Sequence, residues 1–397
     1  MLDIMTEREF AIDVVKRLQG AGFRALWAGG CVRDELLQRT PKDYDVATDA
    51  RPEQVQELFR HSVAIGASFG VIDVIGPRQD WGHPTVEVAT FRSDGAYSDG
   101  RRPDEVVFST PEEDAQRRDF TVNGMFFDPI AATLHDFVGG QADLAAQCLR
   151  AIGDPRVRFK EDKLRLVRAV RIASRFDFRI DPATEAGIRE MADQIKVVSA
   201  ERIANELRQM LPDPSRVRAL NLLLDLGLAQ AIMPEIVPMR GLPQGLPQAP
   251  TGDLWGHVMA VLDALGPEVS FTLALGALLH DVGKPRTVGR TADRYTFYSH
   301  EHVGARMAQV IAKRLKLSVA ERDRIVKVLA LLRDDPNCQF KQLMDIAGVD
   351  FPERERRFDV VYNLLSLTGN MRVRVIVETD EETPVPSVAE LYSAASW

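Results

Sequence analysis

The chain has 397 residues, 45% hydrophobic and 27% charged, with a formal net charge of −8. Such a length points to two or more domains of ordinary globular composition, and no apolar run approaches the roughly 18 residues that span a membrane. Cys31, Cys148 and Cys338 form neither a CxxC pair nor a disulfide framework, and the first ten residues lack a signal-peptide core, so a cytoplasmic location is expected.

Residues 1–150 mix helix and strand signals. The spacing predicts an amphipathic helix over 7–19, a strand over 25–28, a helix over 33–38, a strand over 44–47 and a helix over 52–60. Alternating strands follow at 71–75 and 85–89. From Asp154 onward the signals are almost wholly helical. Asp154-Pro155 reads as an N-cap with proline in the first helical position, and helical periodicity runs on through Arg175 and returns at 199–211 and 216–226. Five prolines between 234 and 252 mark a linker, and a further helical segment covers 254–332. The expected organisation is therefore a mixed domain over 1–150, a helical region over 151–233, a linker over 234–253, a helical domain over 254–335 and a partly flexible tail over 336–397.

Two glycines, Gly29 and Gly30, stand between the first strand and a helix that opens with Arg33, and the next strand carries Asp43 and Asp45. Glycines let a backbone approach a phosphate, and helix N–H groups attract one. Residues two apart on a strand share a face, so both aspartates can converge on a pair of divalent cations for phosphoryl chemistry. A solvated strand end and a simple turn are the plainer accounts of each motif taken alone. Glu87 lies on another strand among valines and can supply a third carboxylate; an edge-strand glutamate facing water is the alternative.

Arg117, Arg118, Asp119 and Asn123 form a polar cluster at an expected helix start. Two guanidinium forks suit triphosphate oxygens, and Asp119 suits a ribose hydroxyl; a solvated charged turn would read the same way. Residues 156–179 hold nine basic residues against three acidic ones. Within that patch Glu161, Asp162 and Arg165 are expected on one helix, where Asp162 and Arg165, three apart, offer an acceptor and a donor fork to a base edge, or else simply pair with each other. Arg168, Arg171 and Arg175 continue a stripe that suits a phosphate backbone or is merely a solvated face. Four of the seven histidines lie between 257 and 302, and His280-Asp281 with His257 is a divalent-metal pattern suited to phosphoester hydrolysis, or a relic of one.

Taken together, these motifs resemble those of class II tRNA nucleotidyltransferases, the bacterial CCA-adding enzymes related to poly(A) polymerases and to the polymerase beta superfamily. The likeness rests on Gly29-Gly-Cys-Val-Arg-Asp34 with Asp43-Tyr-Asp45, on Arg117-Arg-Asp119, on Glu161-Asp-Lys-Leu-Arg165, on Glu201-Arg-Ile-Ala-Asn-Glu-Leu207 and on the His-Asp pair. It implies an α+β head with a polymerase beta-like nucleotidyltransferase sheet, followed by all-α neck, body and HD/tail domains. It further implies tRNA, CTP and ATP as partners and Mg²⁺ held by Asp43 and Asp45, with Glu87 a third carboxylate. Asp162 and Arg165 would select the base, Asp119 the ribose, Glu161 would help reorient the template helix, and Arg171 and Arg175 would meet RNA. The segment 92–114 resembles the family's flexible loop, which argues against addition of CC alone. In the HD domain His257, His280, Asp281 and Asp334 would hold a second divalent metal (Ni²⁺, Mn²⁺ or Mg²⁺), although Arg333 stands where the family usually has histidine. The implied activity is template-independent CCA addition to tRNA 3′ ends. Addition of A alone, poly(A) synthesis, and an HD phosphohydrolase acting on RNA ends are its rivals, and the sequence is silent on oligomeric state.

Overall fold

Short strands with valine or isoleucine at alternate positions assemble into one seven-stranded mixed sheet. The computed structural model describes residues 5–66, 70–79, 82–94, 106–246, 249–267, 269–291 and 293–334. Its sheet strands are β1 (Ala25–Ala28), β2 (Asp45–Thr48), β3 (Ser62–Gly66), β4 (Val71–Ile75) and β5 (Thr85–Thr90). The separate pair β6 (Arg92–Asp94) and β7 (Val106–Phe108) comes next, and β8 (Met125–Asp128) and β9 (Thr133–Asp136) complete the sheet. The spatial order is β3-β4-β5-β2-β1-β8-β9; β2 and β5 run parallel and the other neighbours antiparallel.

Helix α1 (Glu7–Gly20), closed at its start by a capping box of Thr6 and Glu9, packs on β1, β2 and β5. Arg8 stacks on Trp27 there, so α1 covers the face that carries Trp27, Val46, Val88, Ile72 and Val74, all buried. The opposite face is filled at the β1–β8 end by Leu26, Ala28, Ala47, Phe126 and Phe91 with Ala115. Alternation puts Asp45 and Glu87 on this second face, next to that core.

The chain packs as two units, Met1–Met191 and Ala192–Trp397. The first also contains α2 (Gly30–Leu36), α3 (Pro52–Leu58), α4 (Pro111–Gln116), α5 (Gly140–Ala145), α6 (Pro155–Glu161), α7 (Arg165–Arg175) and α8 (Pro182–Met191). The second is helical: α9 (Ala200–Met210), α10 (Arg216–Asp225), α11 (Leu228–Ile232), α12 (Leu254–Ala264), α13 (Phe271–Leu279), α14 (Lys284–Thr287), α15 (His300–Arg314) and α16 (Val319–Asp334). Ile325, Val328 and Leu329 of α16 are buried against this bundle, and a Cβ at Gly276 of α13 would lie 2.9 Å from Val328, so the glycine is what lets the two helices meet.

The first unit is a mixed α/β head that continues into helices, as expected, with four local corrections. Helix α2 starts at Gly30 rather than Arg33, because Gly29, at φ +77°, takes the N-cap. Strand β2 starts at Asp45, so Asp43 lies in the bend before it and not on the strand. Arg117 closes α4 instead of opening a helix, and Thr121–Asn123 forms a short 3-10 turn. The basic helix breaks at Asp162, whose backbone is extended, and resumes at Arg165. The expected linker over 234–253 holds a 3-10 turn, Pro234–Met239, and an antiparallel strand pair, Pro243–Leu246 with Ala249–Asp253. The expected tail and the middle of the 92–114 loop lie outside the described residues.

Candidate active site and metal centre

Register decides the first site. Asp45 of β2 is directly paired with Glu87 of β5, and because β5 lies between β4 and β2, Glu87 is not on an edge strand. Desolvation first, then the charges of Glu87 and Asp43, push the Asp45 carboxyl up to about 7, while Arg118 pulls the other way. Glu87 is likewise raised, by desolvation and then by Asp73 and Asp43. Asp43, exposed in its bend, is thus electrostatically close to both. No described residue forms an ion pair with Asp43, Asp45 or Glu87. An all-oxygen donor set whose repulsion is uncompensated by protein cations fits a hard divalent cation.

The residues expected to grip nucleotide form a connected frame around this row. Arg33 of α2 donates to Asn123 Oδ1 (2.6 Å), holds Asp34 through Nε and Nη2 (2.9 and 2.7 Å), and stacks on Phe176. Asn123 donates to Asp119 Oδ1 (3.0 Å), which also accepts from the Phe120 backbone N–H (2.8 Å). Arg168 of α7 pairs with Asp119 Oδ2 at 3.1 Å. Burial would raise the Asp119 carboxyl, but Arg168, Asn123 and Arg165 outweigh it and hold it below the usual range. Asp119 is therefore committed to protein groups: it fixes Arg168 and Asn123.

Arg117 and Arg118 share one buried partner, Asp114, at 2.7 and 2.9 Å. Arg118 also stacks on Phe126, and its Nη1 would lie 3.0 Å from a Cβ at Gly29, with Asp45 Oδ2 at 4.0 Å from the same point. Gly29 is thus required twice, by its positive φ and by the approach of Arg118. Gly30 follows as the first residue of α2.

Glu161 Oε2 accepts from Arg165 Nη1 (2.6 Å) and Arg158 Nη1 (2.8 Å), and Arg165 further donates to the carbonyls of Arg158 and Arg117 (3.0 and 3.1 Å). Asp162 Oδ1 accepts from the Leu164 N–H at the helix break (3.0 Å). Asp162 and Arg165 consequently do not share one continuous helix face; the break presents them from the ends of two helices. Arg171 and Arg175 lie half-buried along α7, Arg175 over Phe176.

In the second unit His257 of α12, His280 at the end of α13 and Asp281 bring ligand atoms within 4.8 Å of one another. His280 Nδ1 donates to the Ala277 carbonyl (2.7 Å), and its Nε2 lies 3.1 Å from Asp281 Oδ2. Both His280 Nε2 and Asp281 Oδ2 are buried without a hydrogen bond, and with His257 they form a donor set that a divalent metal fits. His257 Nε2 lies 3.6 Å from the same Oδ2, His300 Nε2 3.3 Å from Oδ1, and Lys284 Nζ 2.6 Å from Oδ2. Although burial raises it, Asp281 is held well below the usual carboxylate range by His280, His300 and Lys284. Asp334 ends α16, and its side chain lies outside the described residues.

Sequence reading missed Asp114 and Lys284 and left His300 without a role. A signal existed for the first two: Asp114 precedes Arg117 and Arg118 by three and four, and Asp281 precedes Lys284 by three.

The first unit thus presents a carboxylate row on a mixed sheet, framed by arginines at a Gly-Gly helix start. Residues 25–150 match the model of the Poly A polymerase head domain, 177–239 that of the probable RNA and SrmB-binding site of polymerase A, and 255–352 the HD domain. The CCA-adding enzyme of Lactobacillus helveticus is 37% identical over 266 residues, 66% of this chain and 65% of that protein. Poly(A) polymerase I of Haemophilus influenzae is 38% identical over 239 residues, 57% of this chain and 51% of that one. Among solved structures, the Bacillus stearothermophilus CCA-adding enzyme in complex with CTP superposes with a TM-score of 0.64 at 27% identity, covering 86% of this chain and 74% of that one. The Thermotoga maritima CCA-adding enzyme complexed with tRNA shares the fold, with a TM-score of 0.56 at 18% identity over 93% of this chain and 81% of that one. Over these head, RNA-binding and HD regions the chain is similar to CCA-adding enzymes and poly(A) polymerases. It spans about half to two thirds of the length of the curated relatives named here.

Residues 318–397 also match the model of the respiratory-chain NADH dehydrogenase 30 Kd subunit, overlapping the HD match over 318–352. The packing of Ile325, Val328 and Leu329 ties α16 to the helical bundle. Arg333, which departs from the HD pattern, falls within the overlap.

Proposed function

We propose that this chain adds nucleotides to the 3′ end of tRNA without a template, completing CCA from CTP and ATP, with Mg²⁺ as the metal of the head. The observation that carries the reading is the alignment of Asp45 with Glu87, with Asp43 beside them, under the Gly29–Arg118 contact. Asp43 and Asp45 would hold Mg²⁺, with Glu87 the third carboxylate. When bound, such ions activate the attacking 3′ oxygen and stabilise the leaving pyrophosphate. Arg118, held by Asp114 next to Asp45, and Arg117 present positive charge where a triphosphate would lie. Gly29 and Gly30 keep side chains away from that path. Arg33, Asn123 and Asp119 are linked by hydrogen bonds and Arg168 joins them through its ion pair with Asp119, so ribose selection would run through the group that Asp119 orients as well as through Asp119 itself. Asp162 and Arg165, presented at the break between α6 and α7, would read the base edge, and Glu161 would set the direction of the Arg165 fork. Arg171 and Arg175 would meet the RNA backbone.

The test uses three tRNAs, ending in the discriminator base, in C and in CC, each given CTP or ATP separately. The expected result is C addition to the first two and A addition to the third. Activity on the CC-ending tRNA alone would replace this reading with A addition, and long A tracts on any RNA would replace it with poly(A) synthesis.

For the second unit we infer a divalent metal held by His257, His280 and Asp281, with His300 within reach of Asp281 and Asp334 the remaining ligand named from sequence. Lys284 neutralises Asp281 at the same Oδ2 that the two histidines face. Mn²⁺ titration followed by electron paramagnetic resonance on the full chain is expected to lose one bound ion in His280→Ala while nucleotide incorporation persists. An unchanged number of bound ions would remove the metal from this site.

A further inference from the structure

We propose that Asp73 is a positioning carboxylate of the head's metal site, one strand further out than Glu87, and that it raises the affinity of that site for divalent cations. The proposal rests on the nucleotidyl-transfer reading of Asp43, Asp45 and Glu87 and adds to it a residue from a strand that the sequence motifs do not reach.

Strand β4 runs antiparallel to β5, and its register pairs Asp73 directly with Glu87; β5 in turn pairs Glu87 directly with Asp45. Three neighbouring strands therefore carry Asp73, Glu87 and Asp45 in a single row across one face. Directly opposed residues have Cβ atoms about 4.5–5.5 Å apart, and like charges so placed destabilise a sheet. The neighbours of Asp73 in its own strand, Ile72 and Val74, are buried on the face where α3 meets β4, so the carboxylate is turned to the opposite face by alternation. A residue that only had to be polar on this half-exposed strand would not need a charge opposite another charge.

Within the protein the repulsion is relieved only in part, by Arg118 acting on Asp45. Among the described residues Asp73 makes no hydrogen bond or ion pair, and neither does Glu87. The guanidinium nearest the row, Arg118, is already paired with Asp114. Four carboxylates on one patch with no cation of their own create a steep local attraction for a divalent ion. Strand spacing places Asp73 roughly two strands, about 10 Å, from Asp45. At that distance it does not bind the same ion directly as Asp45. It acts on Glu87 and on the metal's water shell, orienting the first and adding field to the second.

The test is Asp73→Asn in the full chain, with Asp73→Glu as the conservative variant and Asp45→Asn as the reference. Mn²⁺ binding is read by electron paramagnetic resonance, and the Mg²⁺ midpoint for nucleotide incorporation is read separately. Removing one charge at this range is expected to weaken Mn²⁺ binding and to raise the Mg²⁺ midpoint about three- to tenfold. The activity lost at low Mg²⁺ should be recovered by raising Mg²⁺, and Asp73→Glu should restore both midpoints. If Asp45→Asn abolishes binding and incorporation while Asp73→Asn moves neither midpoint, the nucleotidyl-transfer reading stands and the role of Asp73 falls. If Asp45→Asn leaves both intact, the site itself is misread and the proposal falls with it. A folding defect would show as a lowered melting temperature with an unshifted midpoint, which likewise overturns the proposal.

Discussion

Asp45→Asn is expected to lower nucleotide incorporation into tRNA by at least about a thousandfold, equivalent to roughly 4 kcal/mol of transition-state stabilisation. The side chain keeps its volume, so the sheet stays intact. What is lost is the central charge of the row: Asp45 is flanked by Asp43 in sequence and by Glu87 across the strand pair, and it faces the Gly29–Arg118 contact. The same change has an opposite effect on the fold. Desolvation, Glu87 and Asp43 raise the Asp45 carboxyl to about 7, so between the unfolded value near 4 and about 7 the folded state binds the extra proton. Stability falls as pH rises through that window, and the asparagine removes the fall. At pH 8 without divalent metal the variant should therefore melt higher than the wild type, and below pH 4 the two should coincide. Incorporation rates under saturating substrates and melting curves at both pH values check the pair of outcomes. Activity within tenfold of the wild type would refute the assignment of Asp45.

Asp114→Ala is expected to destabilise the first unit by about 3–5 kcal/mol. The carboxylate is almost fully buried and serves three donors: Arg117, Arg118 and the backbone N–H of Arg92. Removing it takes the counter-charge from two largely covered guanidinium groups and leaves them carbonyl acceptors at Arg92 and Asn123. Burial acts to raise the Asp114 carboxyl, but Arg118 and Arg117 outweigh it and hold it below the ordinary value. Its contribution is thus fully present above an unfolded pKa of about 4 and is lost as pH falls below that. The difference between wild type and variant in urea unfolding should be constant from pH 6 to 8 and shrink below pH 4. Incorporation should drop as well, because Asp114 is what holds Arg118 beside Asp45. A variant as stable as the wild type at pH 7 would show that Arg117 and Arg118 find other partners.

Much of the head was legible because it is written in short-range patterns. The Gly-Gly turn and the alternating strands at 71–75 and 85–89 each report a local backbone requirement, whereas the expected placement of Asp43 on a strand with Asp45 did not hold. The helix break at Asp162 was not legible. Apolar periodicity runs through it, and the break is held by a side-chain acceptor for the Leu164 N–H and by the pull of Arg165 toward Glu161 and the Arg117 carbonyl. The 30 Kd subunit likeness of 318–397 was not legible either, since no motif in that stretch carries recognisable chemistry on its own.

The sequence by itself determined which residues are able to do chemistry: three carboxylates, a set of arginines, and a histidine-aspartate group, spread over separate segments of the chain. Only the tertiary structure decided which of them act together. Strand pairing is a long-range choice, and the parallel register of β2 with β5 and the antiparallel register of β4 with β5 brought Asp45, Glu87 and Asp73 into one row. Packing likewise decided that Asp119 holds Arg168 and Asn123, that Asp114 holds Arg117 and Arg118, and that Lys284 and His300 join Asp281. A buried charge must find its counter-charge wherever the fold places one; helical spacing hints at the pairs three or four residues apart, but not at Asp119 with Arg168 or Asp281 with His300.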